Sequence, residues 1–128
     1  MTEADTPPPG EPAIRAVAMP ADTNPNGDIF GGWLMAQMDL AGGVTAWRRA
    51  GGRTATVAVD SMTFHRPVKV GDVVSIYTRV LSIGRTSIRI FVEAWRHSRE
   101  GEMSKVTSAT FIYVAIGENG RPRPVDQP

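Results

Sequence analysis

The chain has 128 residues, contains no cysteine and carries a formal net charge of +1 at pH 7. This length is typical of one domain with its own core, and the lack of cysteine excludes disulfides, thiolate metal sites and a cysteine nucleophile. The balanced charge provides no field that would favour nucleic acid or a membrane surface, and no apolar run approaches the roughly 20 residues of a membrane span.

The two ends of the sequence are rich in proline and lack an apolar pattern. Residues 1–12 are therefore predicted to form a disordered N-terminal tail and residues 117–128 a flexible C-terminal tail, with one folded domain at residues 13–116. The N-terminal residues are acidic and lack the basic-then-apolar order of a signal peptide. We therefore expect a cytoplasmic protein.

A short apolar run over residues 13–19 predicts a first strand, and a loop rich in proline, aspartate and asparagine follows it. A nearly uninterrupted apolar segment then predicts a central helix over residues 32–49, which ends in a basic turn and a glycine pair. Four strand-like runs complete the order, and they cover residues 53–65, 72–83, 86–97 and 105–116.

Alternating apolar residues predict that each of the last three strands has one covered face. The connections between these strands are short, which favours antiparallel neighbours. The predicted fold is α+β, with one long helix against an antiparallel sheet in the order β-α-β-β-β-β. Because one helix cannot cover both faces of such a sheet, we expect self-association. The residues grouped on one face of each strand are Val74, Ile76, Thr78 and Val80; Ile88, Ile90, Val92 and Ala94; and Val106, Ser108, Thr110, Ile112, Val114 and Ile116.

The apolar helix carries one carboxylate, Asp39, which is the first candidate for chemistry. A buried carboxylate is costly unless a partner compensates it. Two interpretations are open at this point. Asp39 could reach solvent or pair with an arginine, or it could act as a base or nucleophile in a partly dry pocket.

The segment before this carboxylate contains Asn24 and the pair Gly31-Gly32. The glycines could simply relieve crowding at a helix start, or the free N–H groups of the first turn could donate to a carbonyl oxygen that gains negative charge. Asn24 could form a turn, or its amide could hold a water or a carbonyl.

Other polar residues favour simpler roles. His65 and His97 lie at predicted strand ends, and two histidines without metal-ligand spacing predict no metal. The connection from Ile83 through Gly84, Arg85 and Thr86 to Ser87 is predicted to be a hairpin turn with a basic tip, which could also receive a phosphate-bearing ligand.

Three segments of the sequence resemble the YciA-type acyl-CoA thioesterases of the hotdog fold. They read AMPADTNPNGDIFGGWLMAQMDLAGG, TVAVDSMTFHRPVKVGDVV and IGRTSIRIFVEAW, and the resemblance covers about residues 13 to 124. It implies a single hotdog domain, a sheet wrapped around one central helix, that hydrolyses acyl-CoA to a free acid and coenzyme A. Asp60, His65 and Arg66 depart from the residues that the family has at these positions, near the acyl pocket and the phosphate contacts.

The resemblance also implies roles for individual residues. Asp39 would be the catalytic general base or nucleophile, Asn24 would contribute to the site, and the backbone N–H groups of Gly31 and Gly32 would form the oxyanion hole. The segment Ile83–Ser87 (Ile83, Gly84, Arg85, Thr86 and Ser87) would contact coenzyme A, as would Arg66 and Phe30. No cofactor is expected, since coenzyme A is part of the substrate and the product.

Members of this family are usually dimers, often assembled three to a hexamer. The resemblance implies that the Asn24 loop and the glycines come from one subunit and Asp39 from its partner. A non-catalytic acyl-CoA-binding hotdog module is the alternative function, because it would keep the pocket and need no base. A hotdog dehydratase would require a histidine in the pocket, and His65 lies outside the helix region.

Overall fold

A computed structural model describes residues 6–126. It contains one helix and five strands in the predicted order, with a short 3-10 turn that the sequence did not predict. The single helix and the curled antiparallel sheet form a hotdog fold, which confirms the predicted fold class. The elements are β1 (Ile14–Val17), the 3-10 turn (Pro20–Asp22), α1 (Gly31–Ala50), β2 (Thr54–Val59), β3 (Val73–Ile83), β4 (Ser87–His97) and β5 (Met103–Ala115).

The sheet has the strand order β1-β3-β4-β5-β2, and every pair of neighbours is antiparallel. β1 and β2 are therefore its edges. The predicted strand over 53–65 is too long, because β2 ends at Val59. Beyond that point the N–H groups of Asp60 and His65 donate to Thr110 and Val106 of β5, in an irregular continuation of the pairing.

The helix α1 packs one stripe of small and apolar residues onto the sheet. Its buried residues are Leu34, Met38, Ala41, Gly42, Ala46 and Ala50. The helix ends at Gly51, whose φ of 71° is the left-handed conformation that suits glycine. The opposite side of α1 leaves four large apolar side chains exposed, and exposed valines of β2 add to them. They are Met35, Leu40, Val44 and Trp47, with Val57 and Val59.

The covered face of β5 differs from the prediction. The sequence grouped Val106 with Ile112 and Val114, whereas the core contains Val106 together with Phe111 and Tyr113. The cause is a bulge beside Val106: Ala94 pairs with Thr107 but Trp95 pairs with Lys105. An extra residue reverses the alternation along the rest of a strand. The core side of β5 therefore continues through Thr107, Ala109, Phe111, Tyr113 and Ala115.

The covered faces of the other two strands agree better with the prediction. Ile88, Ile90, Val92 and Ala94 of β4 are all fully buried. In β3, Val74 and Ile76 are buried, but Val80 is 37% exposed. Val80 pairs with the buried Ile90 and so lies on the core side, but it is beyond residues 73–76 of β3, where β1 extends the sheet.

The C-terminal segment is attached to the domain, in contrast to the predicted flexible tail. Val125 is buried in the core, and its N–H donates to the Arg85 carbonyl. The Arg123 guanidinium donates to the carbonyl of Ala50, the last residue of α1, at 2.8 Å. Asp126 pairs with Arg49 of α1, and this hydrogen bond lowers the pKa of its carboxyl.

Part of the predicted N-terminal tail also lies against the domain. Pro8, Pro9 and Glu11 border a cleft with Tyr77 and Phe91 on the outer face of the sheet. Residues 6–12 form neither helix nor strand, and residues 1–5 lie outside the described residues. Within residues 6–126, no helix has both the length and the apolar character needed to cross a membrane.

Candidate active site

Asp39 lies on α1 where the helix passes β2 and β5, and its carboxylate is held from both strands. The Thr56 hydroxyl of β2 donates to Oδ1 at 2.6 Å. The Tyr113 hydroxyl of β5 donates to the same oxygen at 3.0 Å and also contacts the Asp39 backbone carbonyl at 3.1 Å. Two hydroxyls, rather than an arginine, therefore compensate this carboxylate. Among residues 6–126, no donor reaches Oδ2.

Tyr113 reaches Asp39 because the helix has a glycine where the phenol passes. A Cβ added at Gly42 would lie 2.2 Å from the Tyr113 hydroxyl oxygen, which is far inside contact distance. Burial, and then the neighbouring Asp39 charge and hydrogen bond, raise the pKa of Tyr113 well above its ordinary value of 10.0. Tyr113 therefore remains a protonated donor to Asp39 at physiological pH.

Gly31 and Gly32 form the first turn of α1. Phe30 precedes them in a non-helical conformation, with φ −57° and ψ 135°, and its carbonyl accepts from the N–H groups of Trp33 and Leu34. The first N–H groups of a helix have no partner within the helix. In the described part of the chain, the amides of Gly31 and Gly32 have no acceptor. They are free donors at the positive end of the helix dipole.

A cleft of about 210 Å³ opens beside this helix start. Gly31 borders it, and the Phe64 ring would lie 3.4 Å from a Cβ at that position. Arg66 also borders the cleft and donates to the Lys105 carbonyl at 2.7 Å. The cleft is mostly apolar, and its residues are Ile29, Phe30, Gly31, Leu34, Phe64, Arg66, Pro67, Val68 and Val106.

The loop before the helix is built around Asn24. Its side-chain oxygen accepts from the N–H groups of Asn26 and Asp28, at 2.9 and 3.1 Å. An ion pair between Asp28 and Lys69 fastens the same loop to the segment before β3. The oxygen of the Asn24 amide is therefore used within the turn. Its NH₂ group is the part that could donate to a ligand.

The connection from β3 to β4 is the predicted tight turn, in which the Gly84 N–H donates to the Ser87 carbonyl at 2.8 Å. Arg85 at its tip is exposed. Ser87 pairs with Val114 of β5, whereas the cleft at the helix start is bordered by Val106. Eight residues of strand span roughly 27 Å. The hairpin therefore lies at the opposite end of the sheet from Phe30 and Arg66.

Asp39 is also separated from the glycines of its own chain. Seven to eight residues of helix between them correspond to roughly 11–12 Å along the axis. One chain therefore presents two groups of predicted residues. The first comprises Asn24, Phe30, Gly31, Gly32 and Arg66, and the second comprises Asp39 and the Ile83–Ser87 turn.

The remaining polar candidates lie elsewhere. The His65 N–H donates to the Val106 carbonyl, and its side chain is exposed. His97 Nε2 lies 3.1 Å from the Gly101 carbonyl at the end of β4. In the described ranges, no group of three or more histidine, aspartate or glutamate residues could hold a metal ion.

Comparisons with known proteins identify the family. A model of the thioesterase superfamily matches residues 26–102. The chain belongs to this superfamily. It is 54% identical over 129 residues to the acyl-CoA thioester hydrolase YciA of Salmonella typhimurium, a match that covers 98% of this chain and 97% of that protein.

Solved thioesterase structures have the same fold as this thioesterase-superfamily chain. The hexameric thioesterase y2039 of Yersinia pestis matches with a TM-score of 0.89 and 50% identity, over 94% of this chain and 99% of that one. An acyl-CoA hydrolase of Staphylococcus aureus, solved with butyryl coenzyme A and coenzyme A, matches with a TM-score of 0.81 and 28% identity. The match covers 87% of this chain and 68% of that one. That hydrolase was also solved with alanine replacing an aspartate and, separately, an asparagine.

Two residues that contact Asp39 in this superfamily member were not predicted from its sequence. Thr56 and Tyr113 lie 17 and 74 positions from Asp39, and Gly42 permits the second contact. The misassigned face of β5 placed Tyr113 away from the helix. The available signal was the phenol itself, because a tyrosine on a core-facing strand usually needs a partner for its hydroxyl.

Proposed function

We propose that this chain hydrolyses acyl-CoA thioesters to a free acid and coenzyme A. The observation that carries the proposal is Asp39, a carboxylate held by two hydroxyls on an apolar helix whose first turn has free N–H groups. A base or nucleophile and an oxyanion site are the two parts that acyl transfer requires. The relatives named above as acyl-CoA hydrolases support this substrate class.

Asp39 supplies the reactive oxygen in this proposal. Oδ1 accepts from Thr56 and Tyr113, so Oδ2 faces the substrate. Oδ2 either removes a proton from water or attacks the thioester carbon directly. In the first route, hydroxide adds to the carbonyl. In the second, a mixed anhydride forms and water then cleaves it.

The two routes have the same leaving group. When the tetrahedral intermediate collapses, the carbon–sulfur bond breaks and its electron pair leaves on the coenzyme A sulfur. A thiolate with an ordinary pKa near 8.5 is a fair leaving group, so a strong general acid is not required. The products are the carboxylic acid and the thiol, and water supplies the added oxygen and hydrogen.

The spacing of two residues supports the assignment of Asp39 and Asn24. In the Staphylococcus aureus hydrolase, the asparagine and the aspartate that were replaced by alanine lie 15 positions apart. Asn24 and Asp39 have the same separation. The Asn24 NH₂ group, left free by its turn, donates to the attacking water or to the substrate carbonyl.

The site is shared between two subunits in this proposal. The amides of Gly31 and Gly32 from one subunit bind the developing oxyanion, and the partner supplies Asp39. The separation of roughly 11–12 Å along α1 within one chain motivates this arrangement. The apolar cleft with Phe30 and Arg66 then receives the substrate near its thioester, and the Ile83–Ser87 turn contacts coenzyme A, with Arg85 placed for a phosphate.

The exposed apolar side of α1 and the open edge of β2 are the surfaces that the dimer covers. Leu40 and Trp47 are 58% and 56% exposed in one chain, and the unpaired side of β2 can continue the sheet. The Yersinia pestis relative is hexameric. We infer a dimer as the catalytic unit and three dimers in the assembly.

The test is release of free thiol from acyl-CoAs of several chain lengths. Asp39→Ala and the isosteric Asp39→Asn should each lower kcat by about 10²-fold or more. Glu102→Gln, which removes an exposed carboxylate at the β4–β5 turn, should retain wild-type rates. Equal rates for Asp39→Ala and wild type would refute the role of Asp39. Tight coenzyme A binding without turnover of any acyl chain would favour the non-catalytic module.

A further inference from the structure

Tyr113 makes an unusual contact between the sheet and the helix. Its side chain is 1% exposed, and its hydroxyl meets both the carboxylate and the backbone carbonyl of Asp39. The hydroxyl occupies the space that a side chain at position 42 would fill, 2.2 Å from the Cβ site of Gly42. The absence of a side chain at Gly42 therefore makes room for the Tyr113 hydroxyl and for the edge of its ring.

We propose that Tyr113, seated against Gly42, is a positioning residue that fixes the Asp39 carboxylate through Oδ1 and leaves Oδ2 to react. This inference rests on the proposed function, in which Asp39 is the base or nucleophile. A terminal carboxylate torsion has a broad energy profile, so an unheld aspartate samples many orientations. Bonds from two strands, from Thr56 and Tyr113, narrow that range.

A packing role alone does not account for the hydroxyl. Phenylalanine would fill the same part of the core and would avoid the cost of burying a polar group. The hydroxyl bonds to both the carboxylate and the backbone carbonyl of Asp39, so its position is tied to the carboxylate. Because burial and the Asp39 charge raise its pKa, the phenol keeps its proton and continues to donate.

The experiment measures kcat and KM for Tyr113→Phe, Asp39→Ala and the double variant with one acyl-CoA. Tyr113→Phe should lower kcat by about 10- to 100-fold through misplacement of the carboxylate. KM should stay near wild type, since Tyr113 is 1% exposed and acts through Asp39. In the Asp39→Ala background, Tyr113→Phe should cause no further loss, because residues that act through one another are not additive.

The controls separate this inference from the proposed function. Tyr77→Phe removes the only other tyrosine hydroxyl, on the outer face of the sheet, and should leave kcat unchanged. Calorimetric binding of coenzyme A reports whether Tyr113→Phe retains a folded site. If that variant does not fold, Gly42→Ala takes its place, because it displaces the hydroxyl but keeps the phenol. It should lower kcat to a similar extent.

If Asp39→Ala is as active as wild type, the proposed function of Asp39 fails whatever Tyr113 does. If Asp39→Ala is inactive while Tyr113→Phe keeps full kcat, the positioning role alone is overturned. An additive loss in the double variant would also overturn it, since Tyr113 would then act independently of Asp39.

Discussion

The hydroxyl oxygen of Tyr113 lies 3.0 Å from Oδ1 of Asp39, although the two residues are 74 positions apart. This contact ties the middle of α1 to β5, at the end of the sheet that carries the Ile83–Ser87 turn. The free amides of Gly31 and Gly32 lie at the start of α1, beside the apolar cleft. They are roughly 11–12 Å from Asp39 along the helix axis. This separation is the reason for proposing that a second chain completes the site.

If the site is shared, two inactive variants should regain activity when they form mixed dimers. Asp39→Ala lacks the carboxylate, and Gly31→Pro lacks one amide donor. Each mixed dimer holds one intact site of two, so doubly tagged dimers should have about half of the wild-type activity. The measurement is thiol release from co-expressed, differently tagged subunits purified through both tags. Mixed dimers with no more activity than either parent would contradict a shared site.

Gly31 offers a direct test of the oxyanion donor. Proline suits the first position of a helix, and Phe30, with ψ of 135°, already has the conformation that proline requires of its predecessor. Gly31→Pro therefore removes the N–H with little strain and should lower kcat by about 10²-fold. Gly31→Ala adds the same Cβ near Phe64 but keeps the N–H, and it should retain most activity. Equal losses in the two variants would indicate crowding instead of a lost donor.

The sequence predicted the fold well because its strongest signals are local. The apolar run of α1 and the alternation of β4 (Ile88, Ile90, Val92 and Ala94) both appear as predicted. The errors arise where one residue changes the register. The bulge beside Val106 reversed the faces of β5, and nothing in the alternating pattern marks it. The burial of Val125 was likewise not predicted, because its segment is polar and proline-rich and has no apolar pattern.

The candidate site was predictable only in part for the same reason. Asp39 and Gly31-Gly32 belong to one continuous segment, so the local sequence is sufficient to predict them. Thr56 and Tyr113 reach Asp39 from two strands, and their pairing exists only once the sheet is folded around the helix. The need for glycine at position 42 follows from the position of Tyr113, whose hydroxyl a Cβ there would overlap.

Gly42 and its neighbour Gly43 should respond oppositely to alanine. Glycine-to-alanine changes inside a helix usually add up to about 1 kcal/mol of stability. A Cβ at Gly43 would lie 4.0 Å from the Tyr113 ring, an ordinary contact, so Gly43→Ala should be neutral or stabilising. A Cβ at Gly42 would overlap the Tyr113 hydroxyl, so Gly42→Ala should cost about 1–3 kcal/mol. Urea unfolding measures both, and equal midpoints would show that the phenol can move aside.

Arg123 should stabilise the end of α1. Its guanidinium donates to the Ala50 carbonyl at 2.8 Å, one of the terminal helix carbonyls that lack a partner within the helix. Arg123→Ala should lower the free energy of unfolding by about 1–2 kcal/mol. Arg121→Ala, two residues earlier and exposed, should change it by less than about 0.5 kcal/mol. If the two variants unfold at the same urea concentration, the bond from Arg123 to Ala50 does not stabilise the domain.

Tyr113 should make the protein lose stability in alkaline solution. Its pKa in the folded protein lies above the ordinary value of 10.0, chiefly through burial and then through the Asp39 charge. Above that pH the unfolded chain releases the phenolic proton while the folded chain keeps it, so rising pH favours unfolding. The contribution of one such group approaches about 1.4 kcal/mol per pH unit. Urea midpoints between pH 9 and 11 should fall more steeply for wild type than for Tyr113→Phe, which has no proton to lose. Parallel slopes for the two proteins would mean that Tyr113 ionises as readily in the folded state as in the unfolded one.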